Sequence, residues 1–142
     1  MSKTIIITGG CGFIGHHFVE HIYLNTNWNI VVIDKLSYAS NGFERLRDTG
    51  CFDNPRLKVF TNDLINPLSE GLKKEIGDNV NYIVHMAAET HVDNSIKDPG
   101  LFIRNNIISC NAILMFNRQR TIKYGIATKF ASFMLQTSQS KS

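Results

Sequence analysis

Apolar residues in this chain come in short dense runs separated by amphipathic stretches. Residues 4–8 are β-branched throughout and stop at Gly9-Gly10, which predicts a strand buried on both faces. Residues 13–24 carry a helical stripe at Phe13, Ile14, Phe18, Val19 and Ile22. Residues 30–33 read as a second buried strand closed by Asp34, and 43–49 as a short charged helix ended by Gly50. A third strand follows at 57–60. Pro67 opens a helix that runs from about 68 to 76, with Gly77 as its stop. A fourth strand spans 82–86, a long helix 102–116, and a fifth strand 130–135. Strands that are apolar on both faces and alternate with helices predict a doubly wound α/β fold with a parallel sheet. Right-handed crossovers place its strands in the order 3-2-1-4-5. Residues 1–135 form one domain in this reading, and 136–142 a polar tail.

Composition narrows the class. With 142 residues, 43% hydrophobic and 19% charged, the chain is an ordinary globular domain able to bury a core. The net charge of +3 is mild, and the 15 basic residues are scattered rather than gathered into an arm, which argues against nucleic acid as a partner. No apolar run has the length of a membrane span or a signal core. Three cysteines without a C-x-x-C pair fit reduced thiols in the cytoplasm.

The chemistry concentrates after the first strand. "TGGCGFIG" holds four glycines within seven residues and contains Gly10-x-Gly12-x-x-Gly15 as well as Gly9-x-x-Gly12-x-x-Gly15. In a strand–turn–helix setting such a run makes a tight bend, admits a pyrophosphate against the backbone, and lets helix and strand pack closely. The helix start then directs unpaired N–H groups and a positive dipole end at that phosphate. Asp34 ends the second strand 19 residues after Gly15. A carboxylate there accepts hydrogen bonds from both adenosine ribose hydroxyls and repels a 2′-phosphate, which favours NAD over NADP; Lys35 weakens that preference. The competing reading is a packing turn with Asp34 as a solvated strand end. Asp63, in "TNDLINP", either caps its own loop or meets the adenine amino group. Cys11, at a helix N-terminus, is either a thiol of lowered pKa or a small filler of tight space. His17 and His21 sit in an H-x-x-E-H sequence, which has zinc-site spacing but no third ligand.

Four blocks, "TGGCGFIG", "DKLSYASN", "NDL" and "HMAAETHVDNSI" followed by "FIRNN", are similar to the extended short-chain dehydrogenase/reductase family. More narrowly they resemble its nucleotide-sugar 4,6-dehydratases of the dTDP-glucose 4,6-dehydratase type. The likeness covers about residues 3–114. It implies a Rossmann-type domain with NAD as cofactor and a nucleotide sugar as the intact relative's substrate. Phe13 and Ile14 would offer backbone N–H groups to the pyrophosphate. Asp34, Lys35 and Ser37 would surround the adenosine ribose, and Asp63 and Leu64 would line the adenine. Met86, Ala87, Ala88 and Thr90 would run along the pyrophosphate and nicotinamide ribose. Asn105 stands where these dehydratases have threonine. Thr90, in place of the family's serine, would also touch the sugar, as would His91, for which a plain loop histidine is the alternative. Relatives pair through helices that include the counterpart of 102–116, which implies a homodimer.

The same resemblance exposes a gap. The family works through a Tyr-x-x-x-Lys pair, whose lysine lowers the tyrosine pKa so that the phenolate takes the sugar hydroxyl proton. Four residues after Tyr23, Tyr38, Tyr82 and Tyr124 stand Asn27, Gly42, Met86 and Thr128. Tyr124 and Lys129 are five apart, which would turn them onto different faces of a helix. The family's Thr-Asp-Glu segment has only Thr137-Ser138-Gln139 as a local match, remnant or chance. The chain is therefore expected to be the NAD-binding part of a dehydratase and catalytically incomplete, through truncation or a frameshift. The alternatives are a fragment of a nucleotide-sugar epimerase, an NAD-responsive interaction module without activity, and an aggregation-prone remnant.

Overall fold

The computed structural model describes residues 2–36, 41–88, 96–118, 120 and 123–126, the last four by backbone alone. Five parallel strands form one sheet: β1 (Thr4–Thr8), β2 (Asn29–Asp34), β3 (Leu57–Thr61), β4 (Tyr82–His85) and β5 (Lys123–Ile126). Their order is β3-β2-β1-β4-β5, as the alternation predicted. The fifth strand itself lies elsewhere than read from the sequence. Lys123–Ile126 runs parallel to β4 from Tyr82↔Lys123 to His85↔Ile126. The apolar stretch 130–135 and the tail 136–142 lie outside the described residues. A mixed Lys-Tyr-Gly-Ile segment has no strand pattern of its own; ladder hydrogen bonds to β4 make it a strand.

Among the described residues four helices cover the sheet: α1 (Gly15–Asn25), α2 (Glu44–Asp48), α3 (Glu70–Ile76) and α4 (Pro99–Arg118). The pleat sends alternate residues to opposite faces. Ile5 and Ile7 of β1, with Ile30 and Val32 of β2, pack with Val19 of α1 and Leu46 of α2. Ile6, Val31, Ile33 and Ile83 pack on the other face with Leu64, Leu68, Ile113 and Phe116. Two faces each needing apolar cover explain why the strands lack a polar side.

Local chemistry sets the helix ends. Ser69 caps α3 by accepting from the Leu72 amide at 3.1 Å, and Gly77, at φ +79°, ends the helix. Helix α4 begins three residues earlier than its apolar stripe. Asp98 accepts from the Leu101 amide at 3.0 Å and Pro99 follows it, a cap and first-turn proline already legible as "DP".

Arg56, just before β3, closes the far end of α1. Its Nη1 donates to the carbonyls of Thr26 (2.8 Å) and Trp28 (3.2 Å), and its Nη2 to that of Tyr23 (2.9 Å). The guanidinium lies 4.4 Å from the Tyr23 ring centre. A cation bonded to the last carbonyls of a helix answers its dipole as well as its unpaired acceptors. Arg56→Ala is expected to lower the unfolding free energy by about 2–3 kcal/mol. Arg56→Lys, which lacks the fork, should recover less than half of that in urea denaturation. A loss below the scatter of the method would show the contact to be ornamental.

Candidate functional site

The carboxyl ends of the strands meet at one level. Thr8 pairs with Ile33 on one side and His85 on the other, so Gly9, Asp34 and Met86 come side by side at one level. The chain order reverses direction between β1 and β4, which makes this the crevice where an open α/β sheet takes a ligand.

The glycine bend is built for close approach. Gly9 has φ +72°, and a Cβ on it would stand 2.8 Å from the Ala87 nitrogen and 2.9 Å from Ala87 Cα. A Cβ on Gly10 would meet Val32 Cγ1 at 2.7 Å, and one on Gly15 would run into the Gly9 carbonyl. Gly12 donates to the Gly9 carbonyl at 3.1 Å, and Gly9 to the Ile33 carbonyl at 2.8 Å. Helix α1 therefore starts hard against the bend. Unlike α3, it has no side-chain cap and no acidic residue in its first turn. Among the described residues the Phe13 and Ile14 amides have no acceptor. Both side chains are exposed, Phe13 by 64% and Ile14 by 46%. The result is a pair of donors and a positive dipole end on an open surface, the chemistry that suits an anion.

Asp34 is no solvated strand end. It is 8% exposed. Its Oδ2 accepts from the Cys11 amide at 3.0 Å and its Oδ1 from the Leu36 amide at 2.8 Å. The carboxylate thus ties the bend after β1 to the turn after β2. A carboxylate offers about four acceptor positions, so two remain for hydroxyl donors. Leu36, at φ +56°, turns the chain sharply beyond it.

Cys11 is filler. It is 0% exposed, and burial, helped by the Asp34 carboxylate, pushes its pKa up to about 12. The helix end does not outweigh those two effects. Cys51 is equally buried, while Cys110 on α4 is partly open. A thiol titration of the native protein at pH 8 should find Cys110 reacting and Cys11 and Cys51 silent until denaturant is added. Rapid labelling of Cys11 would mean that the bend opens.

The other expected positions divide. Asp63 Oδ1 accepts from the Ile65 amide at 3.1 Å, which caps its own loop, and Asn62 donates to the Asp34 carbonyl. Leu64 is buried in the core beneath α3 and α4. Met86 and Ala87 are partly buried on opposite faces of the sheet, and Ala88 follows them at the mouth of the crevice. Lys35 is exposed, and Asn105 is half-buried on α4. Ser37, Thr90, His91, Lys129 and Thr137-Ser138-Gln139 lie outside the described residues. Tyr124 is on β5, a strand rather than a helix.

The sequence pattern passed over Thr8 and His85. Thr8 Oγ1 lies 2.7 Å from His85 Nδ1 and accepts from the Met86 and Ala87 amides at 3.1 Å each. Burial pushes the His85 pKa down to about 4. Among the described residues no group of three His, Cys, Asp or Glu side chains is placed to hold a metal, and no helix is long and apolar enough to cross a membrane. A polar cavity of about 350 Å³, lined by Glu70, Lys73, Lys74, Asp78 and Arg120, lies at the opposite end of the strands. Its charges largely answer one another, through Glu70–Lys73 and Asp78–Arg120.

Comparison with known proteins fits this geometry. Residues 6–140 match the family model described as GDP-mannose 4,6 dehydratase. The chain is 39% identical over 111 residues to the dTDP-glucose 4,6-dehydratase of Escherichia coli, covering 78% of this chain and 29% of that protein. It is 43% identical over 108 residues to the Neisseria gonorrhoeae enzyme of that name, covering 75% and 30%. Among solved structures it superposes on DesIV, the dTDP-glucose 4,6-dehydratase of Streptomyces venezuelae with NAD and TYD bound. The TM-score is 0.70 at 30% identity, over 84% of this chain and 37% of that one. The UDP-N-acetylglucosamine 4-epimerase of Methanobrevibacter ruminantium gives 0.68 at 26% identity, over 85% and 36%. The chain spans about 30% of the length of the curated dTDP-glucose 4,6-dehydratases it matches. A glycine bend against α1, an acid closing β2 and a family match over most of the chain agree: this chain belongs to the GDP-mannose 4,6-dehydratase family and corresponds to the N-terminal portion of an extended short-chain dehydrogenase/reductase of the dTDP-glucose 4,6-dehydratase kind.

Proposed function

We propose that the chain binds NAD at the glycine bend and, as it stands, does not turn over a nucleotide sugar. One observation carries the first half. The unpaired Phe13 and Ile14 amides open beside a carboxylate that still has acceptor positions, on a bend too tight for any side chain at Gly9 or Gly15. The residues present fit the cofactor. Phe13 and Ile14 donate to its pyrophosphate, with Gly9 and Gly12 admitting it to the backbone. Asp34 accepts from the adenosine ribose, near Lys35 and Ser37. Asp63 and the backbone at Leu64 face the adenine, and Met86, Ala87, Ala88, Thr90 and Asn105 border the remainder. When bound, NAD supplies a hydride acceptor. Thr90 and His91 would contact a nucleotide sugar.

The second half rests on the sequence, which holds no Tyr-x-x-x-Lys pair. The cytoplasm, where NAD is plentiful and thiols stay reduced, is the setting that suits both cofactor and cysteines. Helix α4, with Ile107 and Met115 exposed by 59% and 54%, is where a second copy would pair. The likeness to a 4-epimerase supports a second reading, in which the same NAD site serves an epimerase.

Calorimetric titration with NAD and NADP tests the proposal. NAD is expected to bind in the micromolar range and NADP more weakly, because the Asp34 carboxylate repels a 2′-phosphate. A folded sample that binds neither overturns the cofactor assignment. Turnover of dTDP-glucose or another nucleotide sugar overturns the claim of inactivity.

A further inference from the structure

Thr8 and His85 are register partners on adjacent strands, so their side chains stand together on one face of the sheet. Alternation puts them with Ile6 and Ile83, on the face covered by α3 and α4. Thr8 is 0% and His85 2% exposed, so both side chains are buried.

Counting protons favours one arrangement. A hydroxyl has one hydrogen and two lone pairs, and an amide N–H only donates. The Ala87 amide takes one lone pair of Thr8 Oγ1, and the Met86 amide divides its hydrogen between the other and the Thr8 carbonyl. The arrangement that keeps every one of these contacts points the hydroxyl hydrogen at His85 Nδ1, 2.7 Å away, and leaves that nitrogen bare. A neutral imidazole with a bare Nδ1 carries its proton on Nε2. Burial keeps the ring neutral, so one of its two nitrogens is free to accept.

We infer that His85 is a positioning residue: by accepting the Thr8 proton at Nδ1 it turns both Thr8 lone pairs toward Met86 and Ala87, and so sets the backbone that borders the glycine bend. The link to the bend is steric. The space over Gly9 ends at the Ala87 nitrogen and Cα, which a Cβ there would meet at 2.8 and 2.9 Å. A small displacement of Ala87 therefore reaches Gly9 directly. The two amides do not depend on Thr8 equally. Met86 also donates to the Thr8 carbonyl at 3.1 Å, whereas among the described residues the Ala87 amide has only the hydroxyl. If His85 cannot accept, the Thr8 hydrogen must turn elsewhere, and Ala87 loses its partner first. The consequence for cofactor affinity rests on the NAD reading above; the orientation of Thr8 does not.

The test uses the full chain, with His85→Leu, which cannot accept, and His85→Asn, whose amide oxygen can stand in for Nδ1. Nitrogen NMR of the wild-type imidazole is expected to show Nδ1 bare and Nε2 protonated at neutral pH. In the Leu variant, exchange of the Ala87 amide should quicken roughly tenfold relative to the β2 amides, as loss of one buried hydrogen bond implies. NAD affinity should fall by a similar factor, and the Asn variant should restore both. A general loss of stability would speed β2 as well and would not be rescued by Asn. A protonated Nδ1, or unchanged Ala87 protection in the Leu variant, overturns the inference. Should the Leu variant not fold, the wild-type spectrum and the Asn variant still decide it. If wild type fails to bind NAD, the cofactor assignment falls while the imidazole and exchange results still judge His85.

Discussion

Gly9→Ala should destabilise the protein by about 2–4 kcal/mol and remove dinucleotide binding. Two costs add. At φ +72° an alanine sits in the left-handed region, which costs about 1–2 kcal/mol. Its Cβ would also lie 2.8–2.9 Å from the nitrogen and Cα of Ala87 and the carbonyl carbon of Met86. All three are backbone atoms, and Thr8 anchors the Met86 and Ala87 amides through its own carbonyl and hydroxyl. None can swing aside as a side-chain tip would. Gly77 is the internal control. It has φ +79° but nothing within 4 Å of an added Cβ. Gly77→Ala should therefore show the cost of a positive φ alone, about 1–2 kcal/mol. The difference between the two variants in chemical denaturation isolates the crowding. Equal destabilisation would mean that β4's end yields easily and that the bend is not held as described.

Asp34→Ala should weaken NAD binding by on the order of 10²–10³-fold, the worth of two charge-assisted hydrogen bonds to ribose hydroxyls. It should also cost about 1–3 kcal/mol of stability, because the buried Cys11 amide loses its acceptor. Asp34→Asn keeps one acceptor oxygen and should recover part of the stability while losing the preference for NAD over NADP. An independent readout comes from Cys11, whose thiol is held up partly by the Asp34 carboxylate. Its pKa should fall in both variants, whether or not a dinucleotide binds. If affinity is unchanged in Asp34→Ala while Cys11 responds, the carboxylate serves the bend and not the ligand. That outcome would remove the ribose contact and leave the anion cradle standing.

Much of this was open to reading before the coordinates. Residues 4–8 and 30–33 are strands because a stiff apolar run bounded by glycine or aspartate has no other economical burial. Gly77 stops α3 where its backbone preference puts it, whereas the helix starts at Glu70 under the Ser69 cap rather than at Pro67-Leu68. The apolar stripe places the start of α4 three residues late, at Phe102, because the cap at Asp98 and Pro99 is polar and local. An apolar run draws the fifth strand to 130–135, whereas pairing with β4 selects Lys123–Ile126, a sequence that carries no strand signal.

The candidate site divides along the same line. The one-dimensional order of residues already determined the strand–bend–helix unit, the acid at the end of β2 and the direction of every crossover, since these follow from periodicity, glycine spacing and chain handedness. It did not determine that Asp34 reaches back to the Cys11 amide, that Cys11 is silenced by burial, or that Thr8 meets His85. Each of those joins residues 23 to 77 positions apart. Their partnership depends on register between strands, and register is settled only when both faces of the sheet are packed at once.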